Sequence, residues 1–344
     1  MIRFECDYAE GAHPRILAKM AQTNGEQTPG YGEDAHCACA RAQIQALCEN
    51  PAADVHFLVG GTQANLTVIA AALRPWQGVI AAETGHINVH ESGAIEATGH
   101  KVLTVPGVEG KVTAAQVRAL CMAHWQDTSH EHMVQPGMVY VSHPTEIGTL
   151  YTKAELTALS DACKACGLTL YLDGARLGYG LAADGADLTI ADIARLCDVF
   201  YIGGTKVGAL FGEAVVILQP TLKQDFRYLI KQRGGMLAKG RLLGIQFETL
   251  LQDGLYFEIS ARAVQLAMQI RHACEGKGYP FLVDSHTNQQ FPILPNAEIQ
   301  KLSKKYSFSI WQAMDAEHTA IRLCTSWATQ AAHVEALIED IQGL

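Results

Sequence analysis

Two short runs constrain this chain more than anything else in it. Residues 170–173, Leu-Tyr-Leu-Asp, and residues 199–203, Val-Phe-Tyr-Ile-Gly, are apolar or aromatic and lead through small residues to a charge. That is how a buried parallel strand reads when it delivers a side chain at its C-terminal end. The first run delivers a carboxylate, Asp173. The second, through Gly204 and Thr205, delivers an amine, Lys206. Residues 188–197 between them carry a helical pattern of the length a crossover needs.

The same alternation runs through most of the chain. Strand patterns occupy 55–59, 79–82, 102–105, 138–142 and 214–218; helical patterns occupy 13–24, 33–49, the stretch from the Gly60-Gly61-Thr62 turn to Leu73, 114–124 and 153–166, the last stopping at Gly167. Strands alternating with helices predict an α/β fold with a doubly wound, mostly parallel sheet, whose ligands bind at the carboxyl ends of the strands. After Pro220 the texture changes. A basic stretch, Lys231-Gln232-Arg233, precedes a long helix that reaches Leu251, and a compact helix-and-strand pattern follows. The expected division is a large domain over 1–250, N-terminal arm included, and a small C-terminal domain over 251–344.

Composition excludes several classes of function. With 344 residues, 49% of them hydrophobic, the chain can bury a large core. Its net charge is -9 and it has no basic stripe, which argues against nucleic acid as a partner. No apolar run is long enough for a membrane span, and the first residues lack a signal-peptide core, so a cytoplasmic protein is expected. The ten cysteines fall mostly in helical patterns, which suits a reducing compartment; Cys163 and Cys166 read as packing residues, and no metal site is expected.

An acid and a lysine at neighbouring strand ends suit pyridoxal phosphate. That cofactor needs a lysine to which its aldehyde attaches, and an acid that keeps its ring nitrogen protonated. Taken singly, Asp173 reads as a turn cap and Lys206 as a solvated lysine. The glycines around Lys206 (203, 204 and 208) add weight, because they let backbone approach a flat ligand. Gly60-Gly61-Thr62 opening a helix supplies a third part, since unpaired N–H groups and the helix dipole favour a phosphate there. His86 follows the strand at 79–82, where an imidazole can stack on a flat ring. Arg176 and Arg322 suit a substrate carboxylate, which a guanidinium grips with two parallel hydrogen bonds.

Together these residues resemble the low-specificity L-threonine aldolase family, within the β-eliminating lyases of the fold-type I pyridoxal-phosphate enzymes. The resemblance covers nearly the whole chain. It rests on Cys6-Asp7, Tyr31-Gly32-Glu33-Asp34, Gly61-Thr62-Gln63-Ala64-Asn65, His86 with Glu91, Asp173-Gly174-Ala175-Arg176, Lys206 and Arg322. It implies a seven-stranded, mostly parallel sheet with helices on both faces and a smaller α/β C-terminal domain. It also implies a homodimer or homotetramer with shared active sites. Lys206 would carry the cofactor, Asp173 would pair with the ring nitrogen, His86 would stack on the ring, and Gly61 and Thr62 would bind the phosphate. Arg176 and Arg322 would take the amino-acid carboxylate, with Cys6 and Tyr31 beside the substrate, Tyr31 reaching in from a neighbouring subunit.

The chain departs from the family at four points. Cys6 stands where a serine is usual, Glu146 where a histidine often assists the retro-aldol step, Thr205 where a serine precedes the lysine, and Leu237 where a basic residue reaches a neighbour's phosphate. Lys239 and Arg233 are the candidates for that last role. The expected activity is cleavage of L-threonine, L-allo-threonine or related β-hydroxy-α-amino acids to glycine and an aldehyde, with Glu146 as base. The alternatives are β-elimination or racemisation on the same scaffold, or a non-catalytic protein that binds the cofactor. A nicotinamide dehydrogenase is disfavoured because no GxGxxG follows a first strand.

Overall fold

A computed structural model describes residues 1–344. Its thirteen strands, in chain order, are β1 (Ile2–Arg3), β2 (Asp54–Leu58), β3 (Gln77–Ala82), β4 (Val102–Val105), β5 (Gln135–Ser142), β6 (Thr169–Asp173), β7 (Val199–Gly203), β8 (Glu213–Ile217), β9 (Gln289–Gln290), β10 (Ile293–Pro295), β11 (Tyr306–Ser307), β12 (Ser309–Ala313) and β13 (His318–Cys324). Seven form the main sheet in the order β2-β8-β7-β6-β5-β3-β4. Only β8 runs against its neighbours, antiparallel to both β2 and β7. The mostly parallel, seven-stranded α/β sheet is the one expected.

Both faces of this sheet are covered, so β6, β7 and β8 are buried along their whole length. Side chains two apart share a face. Leu170, Leu172, Phe200, Ile202, Ala214 and Val216 pack into the larger core, while Tyr171, Val199, Tyr201, Val215 and Ile217 pack into a second core on the opposite face. Each full burial of this kind stabilises by about 1.5–3 kcal/mol, which lets the sheet hold a few buried carboxylates at its edge.

Several helix ends follow directly from their residues. The helix Lys153–Cys166 begins in a Thr152–Glu155 capping box and stops at Gly167, whose φ of 67° is left-handed. The crossover helix is Ile190–Leu196, capped by Thr189 with Asp192. Cys163 is buried within its helix, and all ten cysteines are free thiols.

The long helix expected before Leu251 lies elsewhere. Gly234 (φ 72°) separates Phe226–Gln232 from Arg241–Leu251, and Asp253 and Gly254, both left-handed, separate that helix from Leu255–Gly276, the long one. The Leu255–Gly276 helix joins two parts of the molecule. Leu255, Tyr256 and Ile259 pack in the main core, whereas Leu266, Ile270 and Cys274 pack in a C-terminal core with Leu294, Ile321, Leu323 and Leu337. The second sheet, β10-β13-β12 with β9 alongside, lies in this C-terminal part. Phe4 packs in the same core, and β1 pairs with β11, so the chain's start is anchored to its end.

No helix is long and apolar enough to cross a membrane.

Candidate active site

Asp173 closes β6, with β5 on one side and β7 on the other. Parallel register sets Ser142 opposite Asp173 and Tyr140 opposite Tyr171. Tyr140, Tyr171 and Tyr201 all point to one face, where their hydroxyls converge on the sheet's edge. Tyr140 Oη donates to Asp173 Oδ2 at 2.6 Å, Asn65 Nδ2 donates to the same oxygen at 3.1 Å, and Ala175 N–H donates to Oδ1 at 2.9 Å. Tyr201 Oη also donates to Oδ1. Burial, reinforced by the Asp173 charge, pushes both tyrosine hydroxyls well above their ordinary range, so they remain protonated donors. Four donors on two oxygens is an arrangement that suits a carboxylate.

Lys206 leaves the end of β7 on a turn that a second carboxylate shapes. Thr205 Oγ1 donates to Glu213 Oε1 at 2.8 Å, Gly204 N–H donates to Oε2 at 3.2 Å, and Gly212 N–H donates to Thr205 Oγ1 at 3.0 Å. Desolvation pushes the buried Glu213 carboxyl up to about 8, against the opposing pull of the Thr205 hydrogen bond and the Lys206 charge. The ends of β6 and β7 approach so closely that a Cβ on Gly174 would lie 2.0 Å from the Tyr201 carbonyl oxygen. Only glycine fits there.

The helix Gly61–Ala72 starts at Gly60, whose extended backbone offers no capping side chain, so its first N–H groups are free for an anion. A Cβ on Gly61 would lie 3.1 Å from Tyr201 Oη. One turn further along, Asn65 is fully buried. Besides Asp173 its Nδ2 reaches Glu91 Oε1 at 2.6 Å, and its Oδ1 accepts from Tyr171 Oη at 2.7 Å. Glu91 Oε1 also meets His86 Nδ1 at 2.7 Å. Burial lowers the proton affinity of His86, but the Glu91 hydrogen bond and the charges of Glu146, Asp173 and Glu91 outweigh it, and the imidazole titrates above its ordinary value.

One cavity of ≈ 510 Å³ collects these groups, within the size range of small-molecule sites. Gly61, Thr62, His86, Glu146, Asp173, Arg176, Lys206 and Arg322 all line it. Glu146 lies just beyond β5, and its one side-chain partner is Ser142 Oγ at 3.0 Å. The two arginines, expected to be equivalent, differ. Arg176 Nε and Nη2 grip Asp7 Oδ2 and Oδ1 at 2.6 and 3.0 Å. Burial alone would raise the Asp7 carboxyl, yet Arg176 and Lys206 hold it down at about 2. Arg322 Nη2 donates to the Glu5 carbonyl at 2.8 Å, while its buried Nε has no protein partner.

Two expected site residues are not brought to this cavity. Cys6 is not among its lining residues; Tyr8, two positions on along a bent arm, lines it instead. Tyr31 stands half exposed in a left-handed conformation (φ 60°) beside the basic segment, with Lys231 Nζ 4.9 Å from its ring centre. Conversely, Tyr140, Tyr201, Glu213, Trp311 and Asn65 belong to the site or brace it without having been singled out for a role. The only signal for Asn65 was its place in the Gly61-Thr62-Gln63-Ala64-Asn65 motif, one helical turn after the phosphate turn.

Comparison with known proteins points the same way. The sequence model of the beta-eliminating lyase family matches residues 6–332. The low specificity L-threonine aldolase of Pseudomonas aeruginosa is 31% identical over 347 residues, covering 99% of this chain and 97% of that protein. The solved structure of Leishmania major threonine aldolase superposes with a TM-score of 0.97 at 48% identity, covering 100% of this chain and 99% of that one. Thermus thermophilus aspartate aminotransferase, at 13% identity, shares the fold, with a TM-score of 0.73 over 100% of this chain and 91% of that one.

Proposed function

The chain belongs to the beta-eliminating lyase family of pyridoxal-phosphate-dependent enzymes, and from that premise we propose that it cleaves L-threonine, L-allo-threonine or related β-hydroxy-α-amino acids to glycine and an aldehyde. The observation that carries this reading is the single cavity that gathers Lys206, Asp173, the open Gly61–Thr62 turn, Glu146 and Arg322.

The residues fit the cofactor. Asp173, braced by four donors, suits a protonated ring nitrogen. The uncapped N–H groups at Gly61 and Thr62 suit a phosphate, the His86 imidazole suits the face of a flat ring, and the Lys206 amine suits the aldehyde. When bound, pyridoxal phosphate supplies an electron sink for the bond broken at Cα.

The remaining steps fall to the chain's own side chains. Arg322, whose Nη1 and Nη2 meet Gln289, Ser309 and the Glu5 carbonyl while Nε has no protein partner, lines the cavity with its charge facing a substrate carboxylate. Arg176 likewise has one nitrogen left, Nη1, because Asp7 occupies the other two. Holding the carboxylate fixes which Cα bond stands in the reactive orientation, and that choice selects the reaction. Glu146, held by a single side-chain partner, accepts the β-hydroxyl proton. Despite its burial, His86 holds its proton more tightly than an ordinary imidazole because of Glu91, Glu146 and Asp173, and it lines the same cavity.

A homo-oligomer with shared sites accompanies this reading. It is supported by the exposed Tyr31 and the neighbouring Lys231, which have no role within their own chain's cavity. The ten free thiols suit a reducing cytoplasm.

Incubating the purified protein with L-threonine and quantifying products tests the reaction. Equal amounts of glycine and acetaldehyde are expected. Ammonia with an oxo acid, or D-allo-threonine (the product of inversion at Cα alone), would instead assign the scaffold to elimination or racemisation.

A further inference from the structure

Tyr140 and Ser142 are two apart on β5 and so share a face, and register places Ser142 directly opposite Asp173 on β6. The result is an unbroken line of hydroxyls between two carboxylates. Glu146 Oε1 lies 3.0 Å from Ser142 Oγ, Ser142 Oγ lies 3.2 Å from Tyr140 Oη, and Tyr140 Oη lies 2.6 Å from Asp173 Oδ2. A serine hydroxyl has a single hydrogen and two lone pairs. Ser142 therefore donates either to Glu146 or to Tyr140, never fully to both.

We infer that Ser142 is a positioning residue that couples the proton on Glu146 to Asp173 through Tyr140. With Glu146 ionised, the Ser142 hydrogen points to Glu146, and the Tyr140 oxygen receives nothing from Ser142. Once Glu146 has taken a proton, its O–H donates to Ser142 Oγ, and the Ser142 hydrogen turns to Tyr140 Oη. A hydroxyl that accepts a hydrogen bond donates a stronger one, so Tyr140 tightens on Asp173. Beyond the proton that Glu146 receives, none is transferred along the line; only the Ser142 hydrogen reorients. By reciprocity, the state of Asp173 feeds back on Glu146. The inference rests on the reading of Glu146 as the group that accepts the hydroxyl proton.

Glu146 and Asp173 also interact through space, and His86, His90, Arg176, Lys206 and Arg322 line the same cavity. The experiment must therefore isolate the hydroxyl path. Four cofactor-loaded proteins suffice: wild type, Glu146→Gln, Ser142→Ala and the double variant. The readout is the pH midpoint of the bound cofactor's visible absorbance, which reports the ring that Asp173 faces. In Glu146→Gln the side-chain amide donates to Ser142 Oγ as a protonated carboxyl would. The midpoint should move on that substitution when Ser142 is present, and move less by about 0.5 pH unit or more when it is replaced by alanine. Ser142→Thr, which keeps the hydroxyl, should restore the full shift. Tyr140→Phe cuts the line one bond further on and should abolish the coupling as Ser142→Ala does, so the test survives if one variant fails to fold. Equal midpoint shifts with and without the Ser142 hydroxyl would overturn the inference, leaving only through-space interaction. The catalytic rate of Glu146→Gln tests the base reading on its own, so the two ideas fail separately.

Discussion

The ends of β5 and β6 lie side by side, yet they hold their carboxylates in opposite ways. Asp173 at the end of β6 is 4% exposed and receives four hydrogen bonds, from two strands, a helix and its own turn. Glu146, beyond the end of β5, has one side-chain partner. A group that must stay charged gains from many fixed donors, because each one stabilises the anion and none needs to move. A group that must gain and lose a proton gains from few. On the proposed reading, the contrast suits different tasks for two acids in one cavity: a fixed counter-charge at Asp173 and a transient proton acceptor at Glu146.

The largest expected effect comes from breaking the fixed end. Asp173→Asn keeps the shape but removes the charge and turns acceptors toward donors, so turnover should fall about 100- to 1000-fold while cofactor is retained. Steady-state kinetics alongside the visible spectrum checks this; near wild-type turnover would put the counter-charge elsewhere. Breaking the mobile end should cost less. Glu146→Gln should lower kcat by about 100-fold with an unchanged spectrum near neutral pH. A change confined to KM would reduce Glu146 to a substrate-holding group.

Glu213 sharpens the comparison, as a carboxylate buried like Asp173 but with only two donors. Desolvation is the main cause of its upward shift to about 8, against an ordinary value of 4.5. Between those values the folded chain holds a proton that the unfolded chain has lost, so stability falls as pH rises through that window. Glu213→Gln removes the titration. Relative to wild type, the variant's Tm should rise by roughly 5–7 °C across the window and level off above it. A pH-independent difference would mean that Glu213 is not the buried acid described here.

Much of this arrangement was legible before any coordinates. Asp173 and Lys206 announce themselves because a buried strand is apolar to its last residue, so a charge after it marks the sheet's edge. Gly61 and Thr62 are readable because a helix start needs partners for its N–H groups. Tyr140 and Tyr201 were not, because tyrosine in a strand is an ordinary packing residue. Only the register of three strands shows their hydroxyls meeting on one acid. The grip of Asp7 on Arg176 joins positions 169 apart in sequence, so its pairing with a carboxylate, where Arg322 meets only neutral oxygens, had no local signal. Tyr31 was placed by resemblance, and a single chain leaves it on the surface, away from its own cavity.

The central claim is that the Lys206 turn and the Asp173 strand end form one cofactor site. Borohydride reduction of the purified, yellow protein followed by peptide mass mapping tests it most directly. A pyridoxyl group is expected on Lys206 and on no other lysine. A pyridoxyl group on a different lysine, or none on any, would contradict it.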